Sequence, residues 1–477
     1  MPEITIGIND PGLGVVTPAS STPLIYGHAT GGSANVLELF NSIPTLLGAH
    51  PQGPAVEQAA YVLATAGGPI RFMKAATSVA GANSSVTNTG GGPSVTVAGT
   101  PNDDYEATIR VRLGGALGTA QFDYTLDGIT FSEILTIPSG GSFVIPNTGL
   151  TLTFPSGTYV LNATYTFSST APMWNTTDLG AAFTAIGLDF TPWDFFVGAG
   201  RHANAAAAAT IGAALDTQLV NLTNGNRPAR GMIDAGDDTV SNVGTAQASV
   251  ATKRVMYCYR GQRRSSMKPF QGWGSPVLGA VDCFASMASK ALISTDLGRF
   301  ASGAVHGTVG APEHDEEKLG SLDALKVSTL RTFPGVSGGV FIKNARLKAP
   351  AGSDFQFWQF GRIMDFAQRT TYLALLPFLN DGVRTVTSGP NAGAIDPRDA
   401  TAIEDFVHAQ LDAVLTRPRA ASGRTGHITD RRFSIDLTWN VQSTQTLKCD
   451  LAIVPLGYAK FINVTMGYTT ALVPLAA

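Results

Sequence analysis

The sequence predicts a multidomain chain of the α/β (α+β) class, with a mixed α/β core, an all-β domain inserted into it and extended strand arms at both ends. Three observations carry this. Apolar runs closing on Gly alternate with stretches of helical periodicity from residue 21 to 81 and again after 173, the pattern of a parallel or mixed sheet covered on both faces. Between residues 82 and 172 short Thr-, Val-, Ile- and Tyr-rich runs follow one another with frequent turns and no helical window. Both termini alternate apolar with polar residues at period two, where the end of a soluble domain is usually polar and frayed.

The N-terminal arm, residues 1–20, opens "MPEITIGINDPGLGVV". Ile4, Ile6 and Ile8 share one face of an extended chain, "DPG" stops the run, and the glycines of "NDPGLG" offer a hinge. The first part of the core, 21–81, holds an apolar strand in "TPLIYGHAT" and helical spacing in "SANVLELFNSI" and "PAVEQAAYVLATAG". The second of these starts at Pro54 and stops at Gly67, and the strand "GPIRFMKAAT" follows. The polar, Gly-rich linker "GANSSVTNTGGGPS" leads into the β block at 82–172, read as a sandwich or barrel through "YEATIRVRL", "AQFDYTLDG", "SEILTIPSGGSFVIP" and "YVLNATYTFSS".

From 173 to 340 the core resumes. "WDFFVGAG", "ARGMIDAG" and "RVMYCYRG" are strands, with helices in "ATIGAALDTQLVNLT" and "GAVDCFASMASKAL". A further domain, 341–460, carries a helix across "FQFWQFGRIMDFAQRTTYLALLPFLND". A second helix has Asp396 as N-cap, Pro397 at its first position and a stripe of Ile403, Val407, Leu411 and Val414. Two strands follow, "RRFSIDLTWNVQ" and "KCDLAIVPLGYAKFINVTMGY". The C-terminal arm, 461–477, places Ile462, Val464, Met466 and Tyr468 on one face.

Composition narrows the function. Of 477 residues, 44% are apolar and only 14% charged, against about 25% charged in ordinary soluble proteins, so much of the surface is neutral and suited to being covered by neighbours. A net charge of −3 gives no basis for binding nucleic acid or an anionic membrane. Three distant cysteines, Cys258, Cys283 and Cys449, form no disulfide framework and no zinc spacing, and point to synthesis in a reducing compartment. No basic n-region precedes an apolar core at the N-terminus, so no secretory signal is read, and "AAAAATIGAAL" is too short to span a bilayer.

The segments "GVFIKNARLKAPAGSDFQFWQFGRIMDFAQRTTYLALLPFLND", "GAIDPRDATAIEDFVHAQLDAVL" and "DLAIVPLGYAKFINVTMGY" resemble, in order and spacing, the C-terminal domain of contractile tail sheath proteins. These occur in bacteriophages with contractile tails and in related contractile injection systems. The resemblance covers roughly residues 335–470, and "PGLGVV…TPLIYGHA" is similar to the family's opening strand. It implies a structural protein without cofactor or metal, stacked as rings of six into a helical sheath around a tail tube. Its implied partners are other copies of itself, the inner tube, the baseplate and the tail terminator, with no nucleic acid and no direct membrane contact. Its implied location is a virion tail or an equivalent extracellular particle, assembled in the host bacterial cytoplasm.

In such sheaths terminal arms add strands to a small sheet on neighbouring subunits, which assigns strand exchange to Ile4, Ile6, Ile8, Ile462, Val464, Met466 and Tyr468. Main-chain hydrogen bonds supply the affinity, alternate side chains supply the register, and a strand left bare is an aggregation hazard. The resemblance also places the C-terminal domain innermost. The most basic stretch, "TRPRAASGRTGHITDRR", with Arg417, Arg419, Arg424, Arg431 and Arg432, then reads as a loop against an acidic tube.

Other chemistries are thinner. "GVSGG" matches the G-x-S-x-G elbow of a hydrolase at Ser337, but a strand follows where the elbow needs a helix. His314, Asp315, Glu316 and Glu317 crowd together without the spacing of a metal site and read as a solvated acidic loop. His28, His50, His202, His306, His408 and His427 are scattered, and His408, between Asp405 and Asp412 on one helix, suits an exposed face. The sequons "NATY", "NVTM", "NTTD" and "NLTN" carry no weight without a secretory signal, and "TGGSAN" and "TGGGPS" lack the setting of a phosphate loop. The competing reading is a glycan- or receptor-binding surface on the inserted β domain, where "FDYTLDG…FSE" supplies aromatic and acidic groups.

Overall fold

Runs such as "LIY", "FFV" and "VMYC" have no polar face to turn to water, so they belong in a sheet buried on both sides. A computed structural model shows that sheet. It describes residues 21–236, 238–259, 262–263, 277–307, 316–333, 335–336, 339–416, 426–458 and 460. The terminal positions Ile4, Ile6, Ile8, Ile462, Val464, Met466 and Tyr468, and with them Arg417, Arg419, Arg424, His314, Asp315 and Ser337, lie outside the described residues. The chain divides into two compact units, Met1–Gly382 and Val383–Ala477.

In the first unit six strands form one sheet: β1 (Pro23–Gly27), β2 (Leu37–Phe40), β3 (Ile70–Lys74), β4 (Phe195–Gly198), β5 (Arg230–Asp234) and β6 (Val255–Cys258). Their order is β6-β5-β4-β1-β3-β2, with every neighbouring pair parallel except β2 with β3. The helices are α1 (Ile43–Ala49), α2 (Pro54–Ala66), α3 (Thr176–Leu188), α4 (Ala205–Asn224), α5 (Val240–Ala248), α6 (Ala280–Lys290), α7 (Glu316–Ala324) and α8 (Trp358–Leu375). Alternate strand residues feed two cores. Ile25, Phe72, Phe195, Val197, Met232 and Met256 pack against α2, α6 and Trp358, whereas Leu24, Tyr26, Phe196, Ile233 and Tyr257 pack against α3, α4, α5 and α7.

Local signals explain several of these ends. Asn175 accepts the N–H groups of Thr177 and Asp178, and the Asp178 carboxylate takes the N–H of Asn175 in return, closing a capping box at α3. Asn204 caps α4 through the N–H of Ala207. One expectation fails: "SANVLELFNSI" is not one helix. Leu37–Phe40 lies extended beside β3, and α1 starts only at Ile43. The apolar run is too short to hold a helix against the ladder bonds that the edge of β3 offers.

The chain leaves this core and returns to it at paired residues, Val79 and Met173, which exchange backbone hydrogen bonds of 3.0 and 2.9 Å. Between them Ser142–Ile145, Leu150–Thr153 and Thr96–Ala98 make one sheet. Thr164–Thr170, Tyr105–Leu113 and Gln121–Thr125 are the middle of a second. Tyr105–Leu113 alternates buried with exposed positions, and its inward residues join Phe122, Leu152, Phe154 and Tyr165 in a core of their own.

In the second unit α9 (Pro397–Leu411) packs on a two-stranded antiparallel hairpin, β7 (Ile428–Ile435) with β8 (Cys449–Pro455). Asp396 caps α9 and Ile403, Val407 and Leu411 are buried. The stripe continues at Leu415 rather than Val414, because the wider π turn at Asp412–Thr416 adds a residue.

Candidate assembly interface

The sequence places α8, with its charges, in a domain beginning at 341. The structure packs it inside the first unit, and those charges are what hold it there. Asp194, just before β4, accepts Nε and Nη2 of Arg362 at 3.0 and 2.7 Å and Nη2 of Arg369 at 3.1 Å. One turn along, Asp365 pairs with Arg230 at 2.9 Å and with Arg254 at 3.1 Å, at the starts of β5 and β6. Arg362 and Asp365 are each 2% exposed. Burial pulls the Arg230 guanidinium down to about 10, opposed by Asp365. α8 therefore clamps the first residues of three parallel strands through alternating charges. Gly361 belongs to the clamp: a Cβ there would collide with Nε of Arg230.

At the opposite, carboxyl end of the sheet an open α/β protein would hold its ligand. Here Asp103 and Asp104, from the chain between Val79 and Met173, face Glu57 on α2, Asp282 on α6, Asp234 and Arg201. The space left among them is about 30 Å³, room for about one water. Asp103 is 1% exposed; burial, reinforced by Asp104, pushes its carboxyl up to about 8, and burial pushes Asp282 up to about 7. A roomier cleft of about 760 Å³ lies alongside, lined among others by Tyr105, Ser169, Met173, Trp174, Arg201 and His202.

Among the described residues, the histidines sit in separate surroundings. His28 touches Thr77, His50 pairs with Glu38 at 2.5 Å, and His202 is buried against Trp174. Burial pulls His28 and His202 down to about 4. His427 is buried, while His306 is exposed. Among the described residues no group of His, Cys, Asp or Glu is arranged to hold a metal ion, and no helix is long and apolar enough to cross a membrane. Glu316 and Glu317 fall in the first turn of α7.

The hairpin of the second unit is where the sequence reading meets something incomplete. Phe433 and Ile435 are buried toward α9, while Leu451 and Ile453 on β8 are half-buried and Val454 is half exposed. Arg431 and Arg432 lie on β7 and not on the expected loop, because the strand ladder of the hairpin takes them up. Arg431 is also ion-paired with Asp412, which leaves Arg432 as the exposed cation of the two. His408 is not a solvated residue of an outer face: its Nε2 accepts the N–H of Phe433 at 2.9 Å. The sequence shows none of these pairings, since each joins residues far apart in the chain.

No protein-family model and no curated protein matches this sequence. Solved structures do. A chain of the anti-feeding prophage helical sheath in its contracted state aligns with TM-score 0.54 and 10% identity over 98% of each chain. A chain of the anti-feeding prophage baseplate structure aligns with TM-score 0.53 and 11% identity, covering 98% of this chain and 99% of the other. A chain of an extracellular contractile injection system, the PVC sheath complex in its contracted state, aligns with TM-score 0.51 and 10% identity over 98% of each chain. Across nearly its full length, this chain has the fold of contractile tail sheath proteins.

Proposed function

We propose that this chain polymerises as stacked hexameric rings into a contractile sheath around a tail tube, and that contraction drives the tube through a target cell envelope. The observation that carries this is the shared fold with sheath chains over 98% of the sequence. The role is structural. The carboxyl-end crevice, where a ligand would sit, is filled by the chain's own Asp103 and Asp104. The partners are other copies, through arm strands at Ile4–Ile8 and Ile462–Tyr468, then the inner tube, the baseplate and the terminator. The working location is a virion tail or an equivalent extracellular particle. The extended state is kinetically locked, and a baseplate trigger lets subunits rotate as rigid bodies, ring by ring. A first unit clamped by buried ion pairs suits rigid-body motion.

Negative-stain electron microscopy of the full chain beside a variant ending at Leu456 tests this. Hollow striated tubes are expected from the full chain and dispersed particles from the shortened one. Dispersed particles from both would overturn the reading. The 760 Å³ cleft favours one second reading, in which the segment between Val79 and Met173 presents a carbohydrate site. Binding of the intact chain to a glycan array, lost when Ser169 and Met173 are replaced by bulky residues, would select that reading.

A further inference from the structure

We propose that a proton shared between Asp103 and Glu57 latches the segment between Val79 and Met173 to the core, and that its loss lets the segment swing outward on its neck. This goes beyond the sheath reading and does not rest on it.

The segment has a core of its own, and the mutual backbone hydrogen bonds of Val79 and Met173 form its neck. The cleft of about 760 Å³ runs between Glu106, Ser168 and Thr170 of the segment and Ala203, Ala207 and Thr210 at the start of α4. Beside that cleft the segment reaches the core with the turn at Asp103 and Asp104. Asp103 is hydrogen-bonded to Glu57 on α2 and accepts Nε2 of Gln52 at 3.4 Å. Asp104 lies 4.0 Å from Nε of Arg201.

Carboxyl groups crowd this turn beyond what its cation balances. Asp103, Asp104, Glu57, Asp234 and Asp282 line the crevice, and among the described residues lining it Arg201 is the one cation. Gln58, beside Asp282, and Tyr105, beside Asp103, add no positive charge. The remaining space of about 30 Å³ admits about one water, so solvent screens these groups poorly.

Backbone donors suit some of these groups to the ionised form. Asp104 accepts the N–H of Ala171 at 2.7 Å, Asp234 that of Gly236 at 2.9 Å and Asp282 that of Gly279 at 2.8 Å. Asp103 takes the N–H of Asp104 at 2.9 Å but also faces a second carboxyl group. Two carboxyl groups share a hydrogen bond only when one of them carries a proton. Asp103 and Glu57 are both buried, so neither can exchange that proton for a hydration shell.

Burial, reinforced by Asp104, holds the proton on Asp103 up to about pH 8. Below that value the contact attracts. Above it two facing carboxylates repel at close range, with Asp104 adjacent. Asp103 belongs to the segment and Glu57 to the core, so parting the two relieves the repulsion, and the neck is the joint that must bend.

Pulsed electron spin resonance reads the swing. In the full chain, Val144→Cys on the segment and Thr217→Cys on α4, both exposed positions, carry spin labels. The background is Cys449→Ser, Cys258 and Cys283 being buried, and labelled chain is diluted with unlabelled. One narrow distance distribution is expected at about pH 6, and a second, longer population should grow in with a midpoint of about pH 8. Asp103→Asn and Glu57→Gln each put an amide donor where the proton was, so both should keep the single distribution at about pH 9.5. A wild-type distribution that does not change, or variants that open as the wild type does, would overturn the proposal. So would a second population that appears only with loss of the circular-dichroism signal. The infrared band of protonated carboxylic acid should weaken in Asp103→Asn at about pH 6; an unchanged band would overturn the shared proton.

Discussion

The six-stranded sheet of the first unit and the hairpin of the second treat their edges differently. At the β6 edge of the first unit, Ser328 lies alongside: it donates to the carbonyl of Tyr257 at 2.8 Å, and Tyr259 donates back at 2.9 Å. Lys348 covers the start of the same strand, accepting the N–H of Thr252 at 2.9 Å and placing its Nζ on the carbonyls of Gln247 and Leu325. Backbone from elsewhere in the unit thus finishes that edge. The hairpin of the second unit has one edge finished by Asp430, His408 and Glu404, and one unfinished along β8. Backbone of the first unit covers its β6 edge, while among the described residues side chains cover only the β7 edge of the hairpin. Substitutions in the first should therefore cost folding, and substitutions on the β8 edge should cost assembly.

The sharpest way to break that contrast is Asp194→Ala, which leaves Arg362 and Arg369 without their carboxylate inside the clamp. A loss of about 3–5 kcal/mol is expected from an uncompensated buried charge, read by urea unfolding. A loss below about 1 kcal/mol would mean α8 is not what holds the strand starts. Gly361→Ala should cost about 1–3 kcal/mol by overpacking against the buried Arg230 guanidinium, although alanine favours a helix by up to about 1 kcal/mol over glycine.

A third test uses pH. Asp103 binds its proton up to about pH 8 in the folded chain but only to about 3.9 when unfolded. The folded state therefore holds a proton that the unfolded state has released across that window. Its contribution to stability is present in full below the ordinary carboxylate value and is lost as pH rises through about 8. Asp282, raised to about 7, adds in the same sense. Melting temperature should fall from pH 5 to pH 8.5, and less steeply in Asp103→Asn; an equal slope in both would remove Asp103 from the account.

Ile453→Lys sharpens the comparison from the other side. The residue is half-buried on the unfinished edge, so its own unit should lose less than about 1 kcal/mol while tube formation by microscopy is abolished. The smallest effect belongs to Arg384→Ala. Its ion pair with Asp399 is solvent-facing, and such pairs contribute about 0–1 kcal/mol, so melting should be nearly unchanged.

Much of the core was legible in advance because the physics there is local. An apolar run such as Phe195–Gly198 or Val255–Cys258 has only one place to go, and Asp396-Pro397 or Asn175-x-x-Asp178 starts a helix whatever surrounds it. The miss at Leu37–Phe40 shows the limit, since an edge strand is chosen by the neighbour it pairs with. The terminal segments mark a second limit: period-two alternation suits a segment to a sheet, yet it does not say which edge would take it.

By itself, then, the sequence determined the alternation of strands and helices, the caps, the change of character between 82 and 172 and the amphipathic ends, all set within a few neighbouring residues. Only the tertiary structure decided which charges are buried and which sheet edge is closed. Arg362, Asp365, Glu404 and His408 would each pass for a solvated helix residue. The partners that say otherwise, Asp194, Arg230, Ile435 and Phe433, lie between 25 and 168 positions away along the chain. Burial and pairing are properties of what meets across the fold, and no window along the chain contains both partners.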